Sequence, residues 1–170
     1  MTDLKDYPEV VGELRQIHQT IEHHLSDLKA LGDRRRAGGV AESVKRAGSA
    51  VAGLAAGLID LVRSEGLPKN LRDDFTAFNL ANVGYAMLQT TALALGDQEV
   101  ADLARQHYRD YAGAVMRLNN LIPAAVVRYL QQEGLPVRES AVAQVNRDVE
   151  DAWRQTAHSP ANDPVPAEGI

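Results

Sequence analysis

Four side chains have the types and spacing that could bind a metal ion. His18 and Glu22 are four residues apart and would share one face of a helix, and His24 follows shortly after. His107 belongs to a later segment of the chain. Because neutral imidazole is a good ligand for transition metals, these four residues form the candidate metal site. Iron, manganese and zinc are the candidate ions, and Asp110 is a more distant candidate ligand.

The two central histidines also have a purely structural interpretation. His24 and His107 fall on apolar helix seams, so both could be core histidines whose ring nitrogens bond a carboxylate or a hydroxyl such as that of Tyr111. A metal ion at His18 and Glu22 would need two or more further ligands from another helix or subunit. The spacing allows His107 to approach His24, and both interpretations stay open at this point.

Other kinds of catalytic chemistry are missing from the sequence. The chain has no cysteine, which excludes disulfides, thiolate catalysis and cysteine-type zinc sites. No glycine-rich loop joins a strand to a helix, so there is no usual phosphate cradle. Serine, histidine and aspartate occur in no arrangement that activates a nucleophile. The sequence therefore favours a protein that is not an enzyme and that carries no cofactor.

Charge and hydropathy exclude two further classes of partner. The net charge is −5, and the one basic cluster, Arg34-Arg35-Arg36, follows a helix end whose dipole it complements, so we predict no nucleic-acid partner. The most apolar run, 47–62, is too short to span a bilayer and contains Asp60. The N-terminus shows no secretory signal. These observations predict a cytoplasmic protein without a membrane span.

Apolar residues recur with helical spacing in five segments, as in packed helix bundles. The predicted helices cover residues 8–31, 40–64, 71–95, 98–133 and 138–156. Glycines are expected to end helices at Gly32, Gly66, Gly96 and Gly134, because glycine adopts the left-handed C-cap conformation without a steric clash. Pro123 is expected to kink the fourth helix. Residues 1–157 are predicted to form one helical-bundle domain, followed by a disordered tail over 158–170.

Two of the predicted helices have the composition of contact surfaces. The helix over 40–64 is rich in glycine and alanine, which permits close approach of another helix. The helix over 71–95 is apolar around most of its circumference, which is typical of a central or interface helix. Its large apolar residues are Phe75, Phe78, Leu80, Val83, Tyr85, Met87 and Leu88. Together these features predict a homodimer, with another protein as a possible partner.

Several short motifs resemble bacterial stress-induced ferritin-like proteins of the YciF type. They are Leu71-Arg72-Asp73-Asp74, the run 79–85 (NLANVGY), 94–97 (ALGD), 118–121 (LNNL) and, earlier, 17–20 (IHQT). The resemblance implies a ferritin-like antiparallel four-helix bundle, here with an additional C-terminal helix. The family can hold a pair of metal ions between glutamates and histidines. This chain has Ala81 and Gly84 where glutamates are expected, has Arg109, Asp110 and Tyr111 in place of an acidic run, and contains no Glu-x-x-His.

The sequence thus predicts an all-α protein that has diverged from the ferritin-like stress group and acts by self-association or by binding a partner. One alternative is a metal-binding oxidoreductase that uses the His/Glu site. A second alternative is a carrier of a small apolar ligand, which would need a cavity between the second and third predicted helices. The helix order is also open, because short turns favour an up-down-up-down bundle whereas the family resemblance requires a long crossover.

Overall fold

The computed structural model describes residues 7–35 and 66–157. These residues form four helices and no strand: α1 (Pro8–Arg34), α2 (Leu67–Ala94), α3 (Gln98–Gln132) and α4 (Ser140–Ala157). The all-α class is confirmed, and these helices correspond to the first, third, fourth and fifth of the sequence prediction. The predicted helix over 40–64 and the predicted tail over 158–170 lie outside the described residues.

Glycine ends two of the helices as predicted. Gly96 and Gly134 have positive φ angles of 71° and 75°. After each of them the backbone N–H reaches back five residues, from Asp97 to the Ala92 carbonyl at 2.8 Å and from Leu135 to the Leu130 carbonyl at 3.0 Å. This is the hydrogen bond that closes a glycine-capped helix end.

The prediction that Gly32 ends the first helix is wrong. Gly32 lies within α1, which continues to Arg34. A helical glycine costs only about 1 kcal/mol relative to alanine, and the last turn gains ion pairs across the bundle. Arg34 Nη2 lies 2.8 Å from Glu99 Oε1, and Arg35 pairs with both Asp97 and Glu99.

The Gly-Leu-Pro sequence occurs twice and has a different role each time. At Gly134 it follows the end of α3. At Gly66 it precedes a helix, because α2 begins at Leu67 with Pro68 in its first turn, four residues earlier than predicted. Proline suits that position, since its fixed φ is helical and its missing N–H would have no helical partner there.

The core lies between α1, α2 and α3. The apolar seams predicted for the first and fourth helices are confirmed, because their residues are buried apart from Leu14 and Leu121, which are partly buried. The buried seam residues are Val10, Ile17, Ile21, His24, Leu28 and Leu31 on α1, and Val100, Ala104, His107, Tyr111, Ala114 and Leu118 on α3. From α2, the core receives Leu67, Leu71, Phe78, Ala81, Tyr85, Leu88 and Ala92. By contrast, Val145 and Trp153 of α4 are exposed. The side of α4 that carries these two residues therefore contributes little to the core.

Contacts at both ends of α1 define its direction. Near its start, the Tyr7 hydroxyl donates to Gln132 Oε1 at 3.0 Å, and Glu13 lies 3.6 Å from Arg117. At its end, Arg35 pairs with Asp97, the N-cap of α3, whose side chain accepts a hydrogen bond from the Val100 N–H. Thus α1 runs antiparallel to α3. It therefore runs parallel to α2, because a short turn reverses the chain between α2 and α3.

This arrangement leaves the helix order of the whole chain open. The chain leaves α1 beside the end of α2 and enters α2 at its opposite end, about 40 Å away by helix geometry. Either an additional bundle helix or a crossover could make this connection, and residues 36–65 lie outside the described part. Among the described residues, no helix combines the length and the apolar character needed to cross a bilayer. The helix α3 continues through Pro123 to Gln132.

Candidate functional site

Two stacked histidines lie at the centre of the described helices. The rings of His24 on α1 and His107 on α3 have centroids 3.7 Å apart and planes within 15° of parallel. Both side chains are buried, with exposed fractions of 0% and 2%. The predicted approach of His107 to His24 is therefore confirmed. The predicted seam positions explain the contact, because each histidine replaces an apolar residue in a row that faces the other helix.

Each histidine bonds an aspartate on the opposite helix. His24 Nε2 lies 3.0 Å from Asp110 Oδ2, and His107 Nε2 lies 3.3 Å from Asp27 Oδ2. Since a carboxylate only accepts, both Nε2 atoms carry the proton and donate. Both helices contain the spacing His-x-x-Asp, and the two pairs cross between α1 and α3. This reciprocal arrangement attaches α1 to α3 at two adjacent points.

Two tyrosines complete the surroundings of the histidine pair. The Tyr85 hydroxyl lies 3.1 Å from His107 Nδ1 and donates to it, because this nitrogen is unprotonated when Nε2–H bonds Asp27. The Tyr111 ring lies 4.8 Å from the His24 ring and meets Phe78 edge-on at 5.1 Å. Among the described residues, neither the Tyr111 hydroxyl nor His24 Nδ1 has a hydrogen-bond partner.

Burial keeps the pair neutral at pH 7. Desolvation, together with a smaller effect of the neighbouring His24, lowers the pKa of His107 to about 4 against the opposing effect of Asp27. Desolvation also lowers the pKa of His24, although the hydrogen bond to Asp110 opposes it. Partial burial would raise the pKa of Asp110, but the hydrogen bonds from His24 and Gln106 hold it below its ordinary value. Burial raises the pKa of Tyr85 and Tyr111, so both keep their protons.

The structure separates the four predicted metal ligands into two groups. His18 Nε2 lies 3.3 Å from Glu22 Oε1 in a pair on the outside of α1, where 34% and 64% of the two side chains are exposed. His24 and His107 lie together in the core. The acceptors Asp27 and Asp110, and the donor Tyr85, complete the inner group. Of these, Asp27 and Tyr85 were missed as partners, although the repeated His-x-x-Asp spacing was a signal for Asp27.

The stacked arrangement does not fit one ion shared by both histidines. A bound ion lies in the ring plane of each imidazole that holds it, at about 2 Å from the nitrogen. Two nearly parallel planes at the observed separation have no common point near the Nε2 atoms. Within residues 7–35 and 66–157, no three or more His, Asp or Glu side chains are grouped so that they could hold a metal ion. Metal binding at this pair stays a prediction, and it requires the rings to leave the stack.

We predict that removing the two tyrosine hydroxyls changes the stability of the fold in different ways. Tyr85→Phe should lower the free energy of unfolding by about 1–2 kcal/mol, because His107 Nδ1 then loses its buried donor. Tyr111→Phe should leave stability unchanged or raise it by up to about 1 kcal/mol, because its buried hydroxyl has no partner among the described residues. Urea denaturation followed by circular dichroism at pH 7 measures both. Equal losses in the two variants would contradict the assigned hydrogen bond.

A second feature lies on the side of α2 that faces away from the core. We call it the outer face of α2 and define it by Thr76, Leu80, Val83, Gly84, Met87 and Thr91, all of which are exposed. The exposed fractions of Leu80, Val83 and Met87 are 73%, 57% and 66%. The sequence contains no charged residue and no histidine from 75 to 96. The outer face is therefore an uncharged apolar strip on a helix whose other side forms the core.

Comparison with known proteins gives no family for this chain. No protein-family model, no curated protein and no solved structure matches it. The resemblance to YciF-type ferritin-like proteins, and the stress-related function that it implies, therefore stay predictions from the sequence motifs.

Proposed function

We propose that this protein is non-enzymatic and acts by self-association through the outer face of α2. The observation that carries the proposal is the exposure of Leu80, Val83 and Met87 on a helix that already packs its other side into the core. A row of large apolar side chains in water is unfavourable, and such strips usually mark an association surface. Self-association through this face would remove these apolar side chains from water.

Electrostatics supports a second copy as the partner. The chain carries a net charge of −5, so two copies repel each other overall. The outer face is free of charged residues and escapes this repulsion. A closed two-fold dimer, the commonest form of homo-oligomer, therefore has a natural contact here.

The histidine pair supports the non-enzymatic part of the proposal. His24 and His107 are buried, and their Nε2 atoms already donate to Asp110 and Asp27. Among the described residues, three of the four ring nitrogens have hydrogen-bond partners, and His24 Nδ1 has none. A buried network that links two helices in this way is typical of a structural role that fixes how the helices pack. We assign it the role of positioning α1 against α3.

Light scattering during gel filtration tests the self-association. The 18.5 kDa chain should elute at micromolar concentration with twice its mass, and Met87→Glu should return it to a monomer. Val145→Glu is the matched control, because it places the same charge at an exposed apolar position on α4. A monomeric wild-type protein, or a dimer that only Val145→Glu dissociates, would overturn the proposal.

Elemental analysis of untagged protein tests the non-enzymatic part. We expect no stoichiometric metal ion. Iron, manganese or zinc present at one or two ions per chain and lost in His24→Ala would instead support the metal-binding alternative. Asp33→Ala is the control, since Asp33 lies outside the histidine network. Metal retained in the control and lost in His24→Ala would identify the stacked pair as the ligand source.

A further inference from the structure

The outer face of α2 has a symmetric order of side chains. Leu80 lies three residues before Val83, and Met87 lies three residues after Gly84. Thr76 and Thr91 lie seven residues before Val83 and seven after Gly84. Read from either end, the strip is therefore threonine, large apolar residue, centre, large apolar residue, threonine. Such a strip matches a second copy that lies against it in the opposite direction.

The centre of the strip contains a glycine that no contact among the described residues requires. Gly84 is exposed and has no positive φ angle, so its backbone suits any residue. A Cβ atom added to it would meet nothing within 4 Å in residues 7–35 and 66–157. Glycine inside a helix costs about 1 kcal/mol relative to alanine, and neither its backbone conformation nor packing within the described part of the chain accounts for it. Close approach of a further helix at this point does account for it.

The polar groups of the strip would not oppose burial. The Thr76 hydroxyl donates to the Arg72 carbonyl at 3.0 Å, and the Thr91 hydroxyl donates to the Met87 carbonyl at 2.9 Å. Both hydroxyl protons are therefore already bonded within α2. Burial of the face against an apolar surface leaves no donor of these side chains without a partner.

We propose that two copies meet through an antiparallel contact of α2 with α2, across a two-fold axis that passes between Val83 and Gly84. This inference rests on the self-association proposed above and adds its direction and register. Val83 of each copy then packs over Gly84 of the other, and Leu80 packs against Met87. Large side chains meet small ones at the centre, as close packing requires.

A parallel contact packs less well. It would place Gly84 opposite Gly84 and Leu80 opposite Leu80, which leaves a gap at the centre between two crowded positions. It would also align the dipoles of the two helices in the same direction, which is unfavourable. Both effects favour the antiparallel arrangement.

Disulfide cross-linking tests the direction and the register. The chain has no cysteine, so each introduced cysteine is unique. A mixture of Leu80→Cys and Met87→Cys proteins, one carrying a tag, should form a mixed disulfide dimer under mild oxidation. Each protein alone should not, because in this register identical positions are about 10 Å apart along the helix, beyond the reach of a disulfide. Ala86→Cys, exposed on α2 outside the strip, controls for random collisions.

A packing variant gives an independent readout. Gly84→Leu should raise the dimer dissociation constant by roughly ten-fold or more, with the helical circular dichroism unchanged because the site is open. Gly113→Leu is the control, since Gly113 is also a helical glycine with nothing within 4 Å of an added Cβ. It should leave the dissociation constant unchanged. Equal effects of the two substitutions would overturn the inference.

The outcomes separate the two proposals. A dimer by light scattering whose cysteines cross-link 80 to 80 and 87 to 87 keeps the self-association and overturns the antiparallel register. A dimer without any of these cross-links moves the contact away from the outer face and overturns both proposals. A monomer also overturns both, and poor maleimide labelling of Leu80→Cys would then show that the chain covers this face itself.

Discussion

Lowering the pH from 7 to 4 should reduce the free energy of unfolding by about 3 kcal/mol through His107 alone. Burial lowers its pKa in the folded protein from 6.5 to about 4. Between these two values the unfolded chain binds a proton that the folded protein does not, so acidification favours unfolding. Each pKa unit corresponds to roughly 1.4 kcal/mol. His24, whose pKa is also lowered, acts in the same direction.

Asp74 opposes this effect and must be removed to measure it. Desolvation raises the pKa of Asp74 to about 7, with the neighbouring Asp73 adding to the shift. In the folded protein its carboxyl group therefore keeps a proton that the unfolded chain releases above pH 3.8. Asp74 therefore increases the free energy of unfolding as the pH falls from about 7. Asp74→Asn removes this titration, and the comparison is best made in that background.

The measurement compares Asp74→Asn with the double variant Asp74→Asn/His107→Gln. Glutamine is neutral throughout and keeps a donor that can bond Asp27. Urea denaturation at several pH values between 7 and 4 should give a steeper loss of stability when His107 is present. The titrations of groups outside the histidine network cancel in this difference. Parallel profiles would mean that His107 is not held neutral by burial, and they would contradict the stacked pair.

Phe78→Ala should lower the free energy of unfolding by about 3–5 kcal/mol, whereas Leu80→Ala should change it by less than about 0.5 kcal/mol. The Phe78 ring is completely buried and meets Tyr111 edge-on at 5.1 Å, so its removal leaves a cavity beside Tyr111. Leu80 is 73% exposed and has little to lose within one chain. The two residues are large and apolar and lie two positions apart on α2, so the comparison tests which side of the helix is buried.

In a dimer, Leu80→Ala would also remove contacts between the two copies, and this would lower the measured free energy of unfolding for a reason unrelated to folding of the single chain. Both substitutions are therefore made in the Met87→Glu variant, which we expect to be monomeric. Urea midpoints and slopes then report on the single chain. Similar losses at Phe78 and Leu80 would contradict the division of α2 into a core face and an outer face.

The regular seams explain why two of the helices were predictable. In α1 and α3, apolar residues at alternating three- and four-residue spacing lie on one side, and the other side is charged. Only one face of such a helix can be buried, so the sequence identifies the core without knowledge of the neighbours. The two histidines were placed correctly for the same reason, because they occupy seam positions.

The caps were predictable only in part. Gly96 and Gly134 were assigned correctly because a left-handed glycine acts within a few residues of its own position. Gly32 was assigned wrongly because the continuation of α1 depends on Asp97 and Glu99, which are distant in sequence. Local rules do not include such partners.

By itself, the sequence determined the helical class, most of the bounds of the four described helices and the inward face of α1 and α3, because these depend on spacing along one helix. The tertiary structure alone decided which side of α2 is core. Since that helix is uncharged from 75 to 96, no side of it is marked as the solvent side by the sequence. The structure also decided that His24 bonds Asp110 and His107 bonds Asp27, because each hydrogen bond joins two helices whose relative position no local pattern specifies.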